Sequence, residues 1–246
     1  MSDMLFYERV VALNNAAHAA LRVSPVTDFR FAAKTNSLPL LAGEFVDAAR
    51  EYPIVFVATP TGLVPAVLLG LRENENLFIG VNGKWDARYI PAYVRRYPFV
   101  PAQDANGQLL VCIDEAAPCL GSTKGEPLFA GGKPAPQLDH AMKFLQEFQQ
   151  GVVATEAITA RIDALNLLRD ADSLARLDDG REFRLNGLRV VDEGKLRELD
   201  REVVLELFAS GALGLIYAHL MSLGNLGRLV DRLSRRKDSP PISTYH

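Results

Sequence analysis

Cysteine is scarce in this chain: 246 residues contain two, Cys112 and Cys119, on either side of Pro118. Their spacing fits neither a zinc-binding pair nor a redox Cys-x-x-Cys. Two thiols are also too few for a secreted disulfide framework, so a reducing, cytoplasmic setting is expected. Histidine is little commoner. The four, His18, His140, His219 and His246, show no ligand spacing, and neither a metal site nor a cofactor is expected. Pro or Gly interrupts the apolar stretches well short of the roughly 18 residues that a membrane span requires, so no membrane span is expected. The opening Met1-Ser2-Asp3-Met4 has an acid where a signal peptide has basic residues before an apolar segment. Basic charge is not concentrated along the chain. The 27 Lys and Arg face 30 Asp and Glu, and the longest basic run is Arg235-Arg236-Lys237, which argues against a nucleic-acid partner. Gly-x-Ser-x-Gly and His-Glu-x-x-His are missing, and so is any recognisable Cys–His pairing. Gly131-Gly132-Lys133 is followed by Pro134 where a phosphate loop needs Ser or Thr.

What the chain does hold is a dense stretch from Gly83 to Phe99. It contains the one Trp, three of the seven Tyr, three Arg and two Pro. Pro91 suits the first position of a helix and Pro98 disfavours helical geometry at Tyr97, so a short helix over 91–97 is predicted. Tyr93 and Tyr97 would share a face, while adjacent Arg95 and Arg96 diverge by about 100°. One reading is an aromatic-walled pocket of Trp85, Tyr89, Tyr93 and Tyr97, in which Arg95 or Arg96 clamps a carboxylate or phosphate. The other is an aromatic mini-core whose arginines pair with Asp114 or Glu115. Arg96 is expected to reach the Asp114 strand end. Arg96→Ala should therefore be the more damaging of the two arginine changes.

Taken in order, the chain predicts an α+β protein in which an antiparallel, β-rich N-terminal part precedes a helical part containing a short β-hairpin. Phe29 and Phe31 alternate as in a half-buried strand, and 43–52 reads as a short helix. Ile54-Val55-Phe56-Val57-Ala58 has the continuous β-branched character of a central strand. Leu63–Leu71, marked as edge or bulge by Pro65, and Leu77–Ile79 would complete a meander. Leu109–Ile113 is a second buried strand running into Asp114-Glu115, and the loop-rich 118–137 resembles a lid. Two helices are predicted next, one stopped at Gly151 and one opened by Thr155 and carrying Ile158, Ile162, Leu165 and Leu168. A hairpin turning at Asp178-Asp179-Gly180 follows, then a helix capped by Asp192 and another over 213–233 with Tyr217 and Met221 in the core. The divisions expected are 1–136, 137–237 and a mobile tail 238–246; the first two could form one body.

Several stretches resemble the SapC family, named from a bacterial surface-layer operon. They include Pro39-Leu40, Glu44-Phe45, Tyr52-Pro53-Ile54-Val55-Phe56, Gly83-Lys84-Trp85, Tyr89 to Phe99, Ile113-Asp114-Glu115, Val191-Asp192-Glu193 and Tyr217-Ala218-His219-Leu220. The peptide-transporter permease of the same name needs several apolar spans and is a different protein. The resemblance implies an accessory protein acting with exported proteins or their modification, in a pathway shared with halogenase-like or cupin-like enzymes. Two functions stay open. One is a binding protein that grips an exported protein or peptide, or a partner enzyme, through Trp85, Tyr89, Tyr93, Arg95, Arg96 and Tyr97. The other is an enzyme using Asp114, Glu115 or Glu44 as acid or base on an anionic or peptide substrate. Oligomeric state is left open.

Overall fold

The structure, a computed structural model, describes residues 5–103, 106–171, 173–176, 182–185 and 187–236. In chain order it begins with β1 (Val10–Ala12), α1 (Asn15–His18), β2 (Arg22–Val23), β3 (Ser37–Pro39), α2 (Phe45–Ala48), β4 (Ile54–Thr59) and β5 (Gly62–Leu68). Then come α3 (Ala92–Arg95), β6 (Phe99–Gln103), β7 (Leu109–Asp114), β8 (Leu120–Gly121), β9 (Glu126–Pro127), β10 (Phe129–Ala130) and β11 (Lys133–Pro134). The last part holds α4 (Pro136–Ala164), β12 (Leu168–Asp170), β13 (Ser173–Arg176), β14 (Glu182–Leu185) and β15 (Leu188–Val191). It closes with α5 (Glu193–Arg197), α6 (Arg201–Ala209), α7 (Ala212–Ser222) and α8 (Asn225–Arg235).

Among the described residues every strand pairing is antiparallel, and the protein is α+β. The continuous run in β4 places it third in a five-stranded sheet, β12-β15-β4-β5-β3, with Ile54, Val55 and Phe56 buried. Both parts of the chain build this sheet, since β15 lies against β4 with Leu188 opposite Val57. A second sheet, β1-β7-β6, and a third, β8-β2-β9, flank a smaller core of Val23, Phe99, Ile113, Leu128, Leu138 and Leu145.

Tertiary contacts redirect several local expectations. Pro65 sits on an interior strand; its carbonyl accepts the Leu40 amide (2.9 Å) just where β3 ends, so the missing donor falls beyond the ladder. Leu77–Ile79 makes only a bridge, Ile79 with Trp85, because Asn76 turns the chain by accepting the Phe78 amide and donating to the Ala32 carbonyl. Phe29 and Phe31 lie at a 3-10 turn over Arg30–Ala32 rather than in a strand. The 118–137 segment is no open lid: β8 and β9 both pair with β2, and β10 pairs with β11.

Gly151 does not stop a helix. It lies inside α4, where a Cβ would sit 2.9 Å from a Leu41 methyl, so its smallness serves close approach. Thr155 is not a cap but a bridge, accepting the Ala42 amide (2.8 Å) and donating to the Gly151 carbonyl (2.6 Å). The helix ends before Asn166, whose φ of 52° is left-handed, and Leu168 belongs to β12. Asp192 does cap α5, accepting the Gly194 amide at 2.9 Å. The last predicted helix is two, α7 and α8, because Asn225 turns in to donate to the Ala49 and Tyr52 carbonyls. Tyr217 and Met221 share the outer face of α7 and are 53% and 79% exposed, not core. The hairpin β13–β14 is present, whereas its turn at 178–180 and the 238–246 tail lie outside the described residues.

One histidine ties the C-terminal helices to the central sheet. His219, fully buried, donates from Nδ1 to the Ile54 carbonyl (2.9 Å) and accepts the Val191 amide at Nε2 (3.0 Å). Ser222 takes the Ile54 amide (2.9 Å), so α7 closes both polar groups at the start of β4. These bonds demand a neutral ring. Burial lowers the His219 pKa to about 4, partly offset by the bond to Ile54. An unfolded histidine protonates near pH 6.5, so between about pH 6.5 and 4 the unfolded chain binds a proton that the native one refuses. The resulting stability is complete above that window and drains away as pH falls through it, by on the order of 3 kcal/mol. Urea unfolding from pH 7 to pH 4 should show a steeper decline in the native protein than in His219→Gln, which starts less stable. Equal slopes would remove His219 from this role.

Candidate functional site

Glu44 fixes the position of the aromatic–arginine stretch. Its Oε2 accepts the Leu41 amide (3.0 Å), while Oε1 accepts the Tyr89 hydroxyl (2.6 Å) and the Ala92 amide (2.7 Å). Ala92 is the first residue of α3, so the carboxylate satisfies an amide that the helix leaves without a partner. Pro91 therefore stands at the N-cap, with ψ of 144°, rather than inside the helix, which spans Ala92–Arg95 with Arg96 as its C-cap.

The two arginines part company. Arg95 is exposed; its Nε donates to the Ile90 carbonyl (2.9 Å), and its guanidinium lies over the Tyr89 and Phe144 rings (5.7 and 5.3 Å). Arg96 is only 8% exposed. Its guanidinium carbon is 3.9 Å from the Tyr93 ring centre and 4.8 Å from that of Phe148, and Nε donates to the Tyr7 hydroxyl (3.0 Å). Among the described residues no carboxylate pairs with Arg96, and its two terminal amino groups have no protein acceptor but keep contact with solvent. Tyr7 passes its own proton toward the Phe99 carbonyl (3.4 Å). Burial pushes its pKa up to about 12 although Arg96 pulls it down.

The acids expected to meet these arginines are held elsewhere. Val10 lies opposite Asp114, which brings the Glu8 and Arg9 amides over the Asp114 carboxylate at 3.0 and 2.8 Å, with the Ala116 amide at 3.1 Å. Backbone amides, not Arg96, thus supply the hydrogen bonds to Asp114, and Arg96 approaches that strand end only through Tyr7. Glu115 does pair with an arginine, but with Arg9 (3.1 Å), and also with His18 (3.1 Å). Trp85 leaves the set too: its indole donates to Tyr52 (2.8 Å), whose hydroxyl donates to the Tyr89 carbonyl, and the ring is buried. Tyr97 stacks on Phe31 with centroids 3.9 Å apart.

Arg95, Arg96 and Tyr97 border a groove of about 610 Å³, closed on its other sides by residues 23–29 and the first turns of α4. Val26, Phe29, Val94, Phe144 and Leu145 give it an apolar floor, and Glu126, Gln137 and His140 join the arginines on its rim. The volume suits a small molecule or a few residues of chain. Tyr7, Phe144, Phe148 and His140 were not legible as site residues. The spacing of Phe144 and Phe148, one helical turn apart, was the available signal for an aromatic wall. Among the described residues no group of three His, Cys, Asp or Glu could hold a metal ion, and no single helix is long and apolar enough to cross a membrane.

Comparison with known proteins gives one finding. The model of the family described as SapC matches residues 13–229. No curated protein and no solved structure matches the chain.

The carboxylate geometry predicts a stability pattern. Asp114→Asn and Glu44→Gln each turn an amino group toward amide or hydroxyl donors, and each should cost about 2–3 kcal/mol. Arg95→Ala, on the surface, should stay within about 0.5 kcal/mol of the parent. Chemical denaturation at neutral pH would measure all three; carboxylate variants as stable as the parent would contradict the assignment.

Proposed function

The chain belongs to the SapC family, and we propose that it is an accessory binding protein that grips an acidic segment of another protein in the groove beside Arg95 and Arg96. The observation that carries this is Arg96: a largely buried guanidinium with one hydrogen bond, no carboxylate among the described residues, and terminal amino groups that still reach the water of the groove. Partial burial of such a charge is unfavourable, and ring faces, each returning roughly 0.5–2 kcal/mol, offer it no oxygen acceptor. An incoming carboxylate would supply the missing acceptors in a two-pronged bond, and Arg95 on the rim would add a second donor set. The apolar floor takes the flanking side chains of the same segment.

The occupied carboxylates favour binding over acid–base catalysis. Asp114 and Glu44 each accept three hydrogen bonds, and Glu115 is held by Arg9 and His18. The partner proposed is an exported protein or peptide, met in the cytoplasm, or an enzyme of the same pathway of halogenase-like or cupin-like type. Calorimetric titration with a short synthetic peptide carrying one Glu between Leu and Phe residues, against its Gln counterpart, tests the reading. The Glu peptide should bind at least about tenfold tighter, and Arg96→Lys and Arg95→Ala should erase most of that margin. Equal affinity for both peptides would refute it.

A further inference from the structure

A second cleft, of about 1140 Å³ and sharing no residue with the groove, opens between α8 and the 72–86 segment. Arg228, Asp231, Arg232 and Arg235 follow the i, i+3, i+4, i+7 spacing of one helical stripe, and that stripe lines it. Its cations fall into two groups. Arg232 and Arg236 are staples. Arg232 holds the Asp86 carboxylate (2.6 Å) and carbonyl (2.8 Å) and lies over Phe78, and Arg236 holds the Asn76 and Ile79 carbonyls (both 2.9 Å). Arg228 and Arg235 are spare. Arg228 makes one bond, to the Arg50 carbonyl (2.8 Å), and Arg235 makes none among the described residues.

The acids divide in the same way. Asp86 is paired with Arg232, whereas Glu51 takes only the Arg88 backbone amide (3.3 Å), leaving its second oxygen open, and Asp231 has no guanidinium partner among the described residues. Glu75 is 7% exposed; Arg72 takes its Oε1, and its Oε2 is buried without a donor. A carboxylate oxygen left so costs about 1–3 kcal/mol. The cleft therefore offers spare guanidinium donors together with spare carboxylate acceptors. A bare anion would use only the first and be repelled by Asp231; a polyamine would use only the second.

We propose that this cleft binds a small phosphorylated molecule bearing hydroxyl groups, a sugar phosphate or a nucleotide. Arg228 and Arg235 take the phosphate through charge-assisted bonds, and Glu51 and Asp231 accept the hydroxyl protons. Glucose phosphate, adenosine monophosphate, inorganic phosphate and glucose, each titrated into the full chain by calorimetry, provide the test. One of the two hydroxylated phosphates should bind at least about tenfold tighter than inorganic phosphate, and glucose alone should not bind. The tighter of the two identifies the scaffold as sugar or nucleotide. Arg228→Ala with Arg235→Ala should remove that binding with at most a small fall in melting temperature, since only one exposed hydrogen bond, Arg228 to the Arg50 carbonyl, is lost. Asp231→Asn should narrow the gap between the hydroxylated ligand and inorganic phosphate. No binding by any probe at millimolar concentration, inorganic phosphate as tight as the others, or a double variant that binds like the parent would each overturn the assignment.

Discussion

The Arg96 guanidinium is largely buried, with no carboxylate among the described residues to meet it. Three rings and one phenol oxygen receive it instead: Tyr93, Phe148, Tyr7 and the Tyr7 hydroxyl. Such an arrangement holds only if the surroundings are fixed by other means, because the cage itself does not recover the cost of desolvation. Much of the remaining architecture can be understood as that means. Tyr93 and Arg96 come from the α3 turn, Phe148 from α4 and Tyr7 from the chain leading into β1, so three separate elements have to be brought to one point.

Two carboxylates and one long helix do this. Glu44 anchors the start of α3 to the α2 region, and Asp114 pins Glu8 and Arg9, the two residues after Tyr7, to the end of β7. Gly151 and Thr155 let α4 approach Leu41 and Ala42 closely enough to present Phe144 and Phe148 on the correct side. The acids therefore orient the arginines without touching them. His219, farther off, locks β4 to β15 and gives the whole assembly a rigid back wall.

Some of this was legible in the sequence and some could not have been. The β4 run declared itself because five successive apolar, mostly β-branched residues fit a strand buried on both faces. The 83–99 stretch stood out by composition, and within it the divergence of Arg95 from Arg96 followed from helical geometry alone. Partners were the illegible part. Tyr7 meets Arg96 across 89 positions, and Asp114 loses its expected arginine because a strand register decides which amides face it. Gly151 and Thr155 carry strong local signals for a helix end and a helix start. A tertiary contact with Leu41 and Ala42 gave both another use. Asn166 is the reverse case, a left-handed residue that ends α4 while the apolar period of Leu165 and Leu168 runs on without a break.

Replacing Arg96 by Met tests the central claim most directly, because it keeps much of the packing against the rings and removes the charge. If the cation is there for a ligand rather than for the fold, chemical denaturation of Arg96→Met without ligand should give a stability equal to or above that of the parent. This matches the general behaviour of buried charges exchanged for apolar side chains of similar volume. A loss of about 3 kcal/mol or more would mean that Arg96 serves the fold, and the binding account would lose its foundation.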